Sequence, residues 1–410
     1  MARERILIFT NHFFPENFKV NDIAFTLQQD NYDVTVLTGL PNYPGGRIYK
    51  GYGIFRKANE KVNEIKIIRV PLIPRGNGKG IRLVLNYFSY WFFLMIWSFF
   101  IAISKRFDKI IVHHTSPIFL GIPAIFFKKM QRIPLYFWNL DLWPESIIAA
   151  SSFRNKHVIS FLNKLVKWIY RNSDKILISS EGFKDSLILK GVQQNKIVYF
   201  PNWAENIFTE GNAHTEISLG DRIPADTLKI MFAGNIGEAQ DMENIFNAIL
   251  LTHKQRLKIF WIFVGDGRRR KWIESQVKQY NLDDRVIFLG RHEIETMPSF
   301  FNKADVMLVT LKDEKIFSIT VPAKLQAYMA SRKPILAMIN GEGARIINEA
   351  KCGFTCPCGD YSGLIMNAKK YLVMSENERN DIGLNGFKYY EDLFSFNTAM
   401  SKLRMIISTN

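Results

Sequence analysis

Phe317-Ser318-Ile319-Thr320-Val321-Pro322-Ala323-Lys324-Leu325-Gln326-Ala327-Tyr328-Met329-Ala330 runs directly into Ser331-Arg332-Lys333-Pro334-Ile335-Leu336-Ala337. Pro322 suits the first position of a helix, where its missing N–H costs nothing, and Ala323 to Ala330 favour helix until Ser331 and Pro334 stop it. A loop therefore feeds a helix N-terminus. Free N–H groups and the positive end of the helix dipole make such a junction an anion site, with the hydroxyls of Ser318 and Thr320 as further donors. Lys324, in the first turn, opposes the dipole at a cost of roughly 0.3–1 kcal/mol unless an anion reverses the sign. Taken alone, it reads equally well as a solvated lysine.

Upstream of this junction, four apolar runs end at glycine or at the junction itself. Leu228–Ala233 runs into Gly234-Asn235-Ile236-Gly237, Ile259–Val264 into Gly265-Asp266-Gly267, Val286–Leu289 into Gly290-Arg291-His292, and Val306–Thr310 precedes Phe317. Glycine at strand ends lets a ligand approach the backbone closely. The series describes a parallel sheet that holds a nucleotide.

The first half shows the same alternation. Ile6–Thr10 is a strand, Asn11–Lys19 a loop, Val20–Gln29 a helix and Val34–Thr38 a second strand, which together make a βαβ unit. Its first turn lacks the Gly-rich dinucleotide fingerprint, so a nicotinamide or flavin cofactor is not expected. Gly39–Gly46, with Asn42 and Tyr43, is a turn-rich loop at the ligand-binding edge. The strand Ile110–Val112 ends in His113-His114, and Leu135–Trp138 ends in Asn139-Leu140-Asp141-Leu142-Trp143-Pro144-Glu145. A histidine and a carboxylate at such ends can bond sugar hydroxyls or move a proton. Asp141 also reads as a turn cap, and one of the two histidines as structural.

With 410 residues, 47% of them hydrophobic, the chain is too long for one ordinary domain. Residues 1–203 form the first domain, the polar stretch 204–227 a linker and 228–385 the second domain. Lys and Arg number 54 against 38 Asp and Glu, a formal charge of +16 that suits a phosphorylated ligand, an anionic membrane or nucleic acid. No nucleic-acid-binding signature accompanies the charge, so nucleic acid is not an expected partner. The three cysteines, Cys352, Cys356 and Cys358, share one turn-rich stretch with no fourth ligand nearby, which favours free thiols over a metal site.

Tyr87–Ile103 is uncharged, aromatic and near the length of a membrane span, with Arg82 before it and Lys105-Arg106 after it. A true span, a buried core helix and an aromatic helix dipping into the bilayer all remain open. The basic segments Arg75–Lys79 and Lys128–Arg132 would face anionic headgroups or simply solvent.

Asp141–Ser146, Gly234–Gly237, Gly265–Gly267, Val321–Ala337 and Asn42-Tyr43-Pro44 together resemble the retaining glycosyltransferases of family 4. The likeness is greatest to a bacterial surface-polysaccharide branch that includes proteins assigned as fucosamine transferases. The resemblance covers nearly the whole chain. It implies the α/β GT-B fold, two facing Rossmann-like domains with a cleft between them, and helices at 386–410 crossing back to the first domain. It also implies a UDP-sugar donor as substrate, no cofactor and no metal, and transfer of an (N-acetyl)amino sugar to a lipid-diphosphate-linked or other saccharide acceptor in O-antigen or capsule synthesis. The place would be the cytoplasm, peripherally or monotopically on the inner membrane.

The donor would be held by Gly234, Asn235, Gly237, Gly265, Gly267, Gly290, Arg291, Ser318, Thr320, Val321, Pro322 and Lys324. The acceptor would meet Asn17, Lys19, Asn42 and Tyr43, and catalysis would involve His113, His114, Asp141, Glu145 and Lys324. Two departures stand out. Ile319 and Ala327 occupy the places of a glutamate pair that relatives carry, and Asn235 and Gln240 stand where relatives place an arginine and a lysine. Competing readings are a nucleotide-sugar epimerase or hydrolase of the same fold, and a catalytically silent membrane-associated binding protein.

Overall fold

Alternating apolar runs and amphipathic helices build two units in the computed structural model, which describes residues 3–408 except 79, 151–154, 210–216, 218 and 220–222. Lys79 and much of the expected linker therefore lie outside the described residues. One unit comprises Met1–Phe200 with Met400–Asn410, the other Pro201–Ala399.

In the first unit, β1 (Arg5–Thr10), α1 (Lys19–Gln29), β2 (Asp33–Gly39), β3 (Asn59–Val62) and β4 (Ile65–Val70) are followed by the long α2 (Gly80–Ser104). Then come β5 (Lys109–His114), α3 (Gly121–Gln131), β6 (Leu135–Asn139), α4 (Glu145–Ala150), α5 (Lys156–Asn172), β7 (Lys175–Ile178), α6 (Phe183–Leu189) and β8 (Ile197–Tyr199). The sheet order is β3-β4-β2-β1-β5-β6-β7-β8, parallel except for β3 against β4. Strands β1, β5 and β6 are almost wholly buried, as expected where helices cover both faces of a parallel sheet. The sequence reading did not register β3 and β4. Strand β3 lies at the sheet edge with alternating exposure, and its residues Asn-Glu-Lys-Val carry little strand signal.

In the second unit, β9 (Leu228–Ala233), α7 (Met242–Lys254), β10 (Ile259–Val264), α8 (Arg270–Gln279), β11 (Val286–Gly290), α9 (Met297–Lys303) and β12 (Val306–Thr310) lead to α10 (Lys315–Ser318) and α11 (Ala323–Ala330). After them come β13 (Ile335–Met338), α12 (Glu342–Glu349), β14 (Gly353–Cys356), α13 (Tyr361–Val373), α14 (Glu376–Leu393) and α15 (Phe396–Ser408). The six strands are parallel in the order β11-β10-β9-β12-β13-β14, over a core that includes Ile230, Phe232, Trp261, Phe263 and Leu336. The cysteine stretch is not only turn. Its Gly353–Cys356 portion is β14 against β13, and burial pushes the thiols of Cys352 and Cys356 up to about 12.

Two boundaries differ from the sequence reading. Asn206–Phe208, expected in the linker, is a short 3-10 turn whose Phe208 stacks on Phe301 of α9 within the second unit. Residues 386–399 also belong to the second unit. Only from Met400 does α15 count with the first, where Arg404 pairs with Asp30 at 2.6 Å.

Each sheet reverses its strand order once, between β1 and β5 in the first unit and between β9 and β12 in the second. Open parallel sheets bind ligands beyond the carboxyl ends of the strands at such points.

Arg69 on β4 is 2% exposed; it pairs with Glu60 at 2.6 Å and donates to the carbonyls of Phe14 and Lys57. Glu60→Gln leaves that cation without its carboxylate and is expected to lower the unfolding free energy by about 3 kcal/mol. Urea denaturation of the two proteins measures the difference.

Candidate active site

At the switch point of the second unit, three loops are tied together by backbone. Gly234 N–H donates to the Val264 carbonyl at 2.9 Å, Ile236 N–H to Asp266 at 2.9 Å and Gly265 N–H to Gly290 at 2.7 Å. Gly265 has φ +136°, and a Cβ there would stand 1.9 Å from the Gly234 carbonyl oxygen. A Cβ on Gly267 would stand 2.3 Å from the Ile236 oxygen. Only glycine allows these strand ends to nest, so the Gly series of the sequence is a packing requirement as well as an open approach for a ligand.

Helix α11 is fixed over this surface by Tyr328, whose hydroxyl accepts from Ala233 N–H at 3.1 Å and donates to the Ala233 carbonyl at 3.0 Å. Pro322 is the N-cap and not the first helical residue, with ψ 127°. Its placement still leaves Lys324 in the first turn. The Lys324 ammonium donates to Gln240 Oε1 at 2.6 Å, lies 3.8 Å from the centroid of the Phe232 ring and 3.9 Å from where a Cβ of Gly234 would be. Among the described residues it has no carboxylate partner. Desolvation by burial lowers its pKa to about 7.

The partner of Lys324 is thus Gln240, one of the two residues that departed from the family pattern. Its backbone is anchored by Thr310 Oγ1, which donates to the Gln240 carbonyl at 2.6 Å. The hydroxyls of Ser318 and Thr320, expected to face an anion, instead donate to the carbonyls of Lys315 and Ile316 and finish α10. Asn235 and Arg291 are exposed, and Gly237 and Val321 lie in the same loops.

At the switch point of the first unit, neighbouring residues of β5 point to opposite faces, and both histidines are inside. His113 is 1% exposed with Nδ1 2.9 Å from Thr10 Oγ1, and burial lowers its pKa to about 3. His114 is fully buried, its Nδ1 3.1 Å from Asn139 Oδ1, and burial lowers its pKa to about 4. Burial therefore favours the neutral form of both rings.

A different histidine is only partly buried. His12 Nδ1 lies 2.9 Å from Glu16 Oε2, and its ring stacks on Phe18 and lies against Tyr43. Glu16 is 2% exposed and accepts the backbone N–H groups of Asn42 at 2.8 Å and Tyr43 at 2.6 Å. A buried carboxylate therefore orients the imidazole and pins the loop after β2. The sequence reading passed over this pair, although its four-residue spacing in the loop after β1 was the available signal.

Asn42 is 1% exposed and spends its side chain on the carbonyl of Leu40 and the N–H of Arg75. Tyr43 is exposed, with the Arg75 guanidinium 5.0 Å from its ring centroid. Arg75, read from sequence as facing headgroups or solvent, is thus part of this cluster and has no carboxylate partner among the described residues. Tyr87 joins it through a hydrogen bond to Ser116, with Arg75 and Asp141 close enough to act on its hydroxyl. Burial raises the pKa of Asp141, which accepts from Trp143 Nε1 at 3.1 Å. Glu145 is occupied elsewhere, in an ion pair with Lys190 and a bond from Ser186. Asn17 is exposed beside the cluster, and Lys19 opens α1.

Known proteins resemble both units. Residues 19–203 match the model of the glycosyl transferase 4-like domain, and residues 227–373 that of glycosyl transferases group 1. The Pseudomonas aeruginosa protein named "Probable glycosyltransferase WbjE" is 27% identical over 305 residues, covering 70% of this chain and 71% of that protein. An Escherichia coli K12 protein, WcaI, named as a candidate glycosyl transferase of colanic acid biosynthesis, is 23% identical over 80% of this chain and 81% of its own. Among solved structures, HepE of Anabaena in complex with UDP aligns with a TM-score of 0.69 and 13% identity, covering 99% of this chain and 100% of the other.

Because Lys324 titrates near 7 in the folded protein and at its ordinary 10.5 in the unfolded chain, the unfolded state binds more protons between those values. Stability should rise with pH across that window. Lys324→Met should flatten the slope and raise unfolding stability at pH 7 by at least about 1.4 kcal/mol, the worth of one pKa unit. Denaturant titrations at pH 7 and pH 9.5 check both signs.

Proposed function

The chain belongs to the glycosyltransferases of family 4, and from that premise we propose that it moves an (N-acetyl)amino sugar from a UDP-sugar to a lipid-diphosphate-linked saccharide, with retention, in surface-polysaccharide synthesis. The carrying observation is Lys324, a desolvated amine with no carboxylate partner among the described residues, on the first turn of α11 beside the exposed backbone of Gly234. Such a seat suits an anion. A diphosphate bound there would return the amine to its charged form and satisfy the helix N-terminus. The UDP in the HepE complex and the polysaccharide named for WcaI support the choice of donor and pathway class.

In the proposed reaction, the bond between the anomeric carbon and the diphosphate oxygen breaks as the acceptor oxygen bonds the same face of that carbon. The acceptor proton passes to the departing phosphate oxygen. Negative charge grows on the diphosphate, and Lys324 with the N–H groups at Ala323 stabilises it without a metal. On the acceptor side, His12, held by Glu16, orients the attacking hydroxyl. Asp141, whose pKa is raised, bonds sugar hydroxyls. Arg75 takes the acceptor's phosphate. With Ile319 and Ala327 in place of the glutamates, the ribose is held by backbone groups of the Gly290 and Ser318 loops.

Three outcomes are expected. UDP and one UDP-N-acetyl sugar should raise the melting temperature selectively in a nucleotide-sugar panel; no shift with any member would favour the silent binding protein. Lys324→Ala should lower kcat by about 10²–10³ with folding retained. UDP affinity should fall by about tenfold per pH unit above pH 7, since binding requires the charged amine, and calorimetry at pH 8 should register proton uptake that Lys324→Met abolishes.

A further inference from the structure

Helix α2 turns large apolar side chains outward. Its buried face mixes Asn86, Ser89, Tyr90 and Ser98 with Leu94, Ile101 and Ala102, whereas Ile81, Phe88, Phe92, Phe100 and Ile103 are between 47% and 78% exposed. The polar face is keyed to the sheet. Asn86 donates to the carbonyl of Ile73, Ser89 accepts from Ile73 N–H, and the Tyr90 hydroxyl donates to the carbonyl of Thr10. The helix has the length and composition of a membrane span, with a mean hydropathy of 1.6 in its most apolar window. A span would strip those polar groups of their partners inside the hydrocarbon, and it would pull α2 out of the β4 to β5 crossover.

The aromatic surface continues beyond α2. Phe99 contacts Phe126 of α3, and Lys129 of α3 lies over Trp168 of α5, beside the exposed Phe161. The charge of this layer is one-sided. Helices α2, α3 and α5 contain no Asp or Glu. Lys128 is paired with Asp174, but Arg82, Lys129, Lys156, Lys164, Lys167 and Arg171 have no carboxylate partner among the described residues. Lys156, Lys164 and Lys167 line one shallow groove on α5. Exposed aromatic rings bordered by cations, on helices that carry no acidic residue of their own, match an anionic bilayer surface, where rings sit at headgroup depth and cations meet phosphates. Water alone gives no reason for that pattern.

We infer that the outer face of the α2–α3–α5 layer docks on an anionic lipid bilayer in the plane of the interface, without crossing it. The docking does not require that the acceptor be lipid-linked. It depends on this face alone.

The test is flotation of the purified full chain with phosphatidylcholine vesicles and with mixed phosphatidylcholine–phosphatidylglycerol vesicles, at low and high salt, with light scattering of the free protein. Binding is expected to the mixed vesicles, weakened by salt. It should drop by at least about tenfold in Lys164→Glu/Lys167→Glu, since each cation near such a surface counts for several-fold. Phe88→Ser/Phe100→Ser should lose binding even at low salt. Circular dichroism and the melting shift with UDP, read separately, establish that each variant is folded and that the donor site is intact. Equal binding to neutral vesicles, or variants that bind as the parent does, overturns the inference. So does a dimer that these substitutions dissolve with no vesicle binding by the parent, which would assign the face to a second copy.

Discussion

One hydroxyl closes the end of β9 against α11. Tyr328 holds both the N–H and the carbonyl of Ala233, the last residue before the chain turns at Gly234. Strand ends in a parallel sheet leave such backbone groups to find partners, and burying them unpaired would cost about 1–3 kcal/mol each. By serving both, the tyrosine sets the height of α11 above the sheet, and with it the position of Lys324 one turn earlier. Gly234, Gly265 and Gly267 then fit beneath because they carry no side chain. Among the described residues no carboxylate balances the cation; it rests on an amide oxygen and an aromatic face, an arrangement that leaves its charge for something else.

Much of this was legible in the sequence. Apolar runs that end in glycine state where strands stop, and a proline followed by good helix formers states where α11 starts. Lys324 was recognisable because its place within the first turn conflicts with the helix dipole. What the sequence could not convey was which way neighbouring side chains point and what they spend their hydrogen bonds on. Of His113 and His114 at the end of β5, one was expected to serve the site and the other the structure, yet both are buried. Ser318 and Thr320 offered donors, but the short α10, invisible to periodicity at four residues, uses them. Arg75 looked like a solvated loop cation until the fold brought Tyr43 beneath it.

The acceptor side illustrates a different limit. His12 and Glu16 carry no motif by themselves. Their significance lies in Glu16 reaching the backbone of Asn42 and Tyr43, twenty-six and twenty-seven positions away, so that one buried carboxylate shapes two loops and one imidazole. A contact of that kind depends on β1 and β2 lying side by side, and β1 carries no local mark of which strand it will pair with.

The last turns of α15 have a consequence for how the chain is made. Asp30 and Arg404 stand 374 positions apart, and residues from Met400 onward belong with the first unit. During synthesis the sheet of the first unit can assemble early, but its surface near α1 waits until the residues beyond Met400 have left the ribosome. Until then the surface of the first unit against which Leu403 and Ile407 are buried stays uncovered. Helix α15 acts as a timing element: the first unit is completed only after the second has been made.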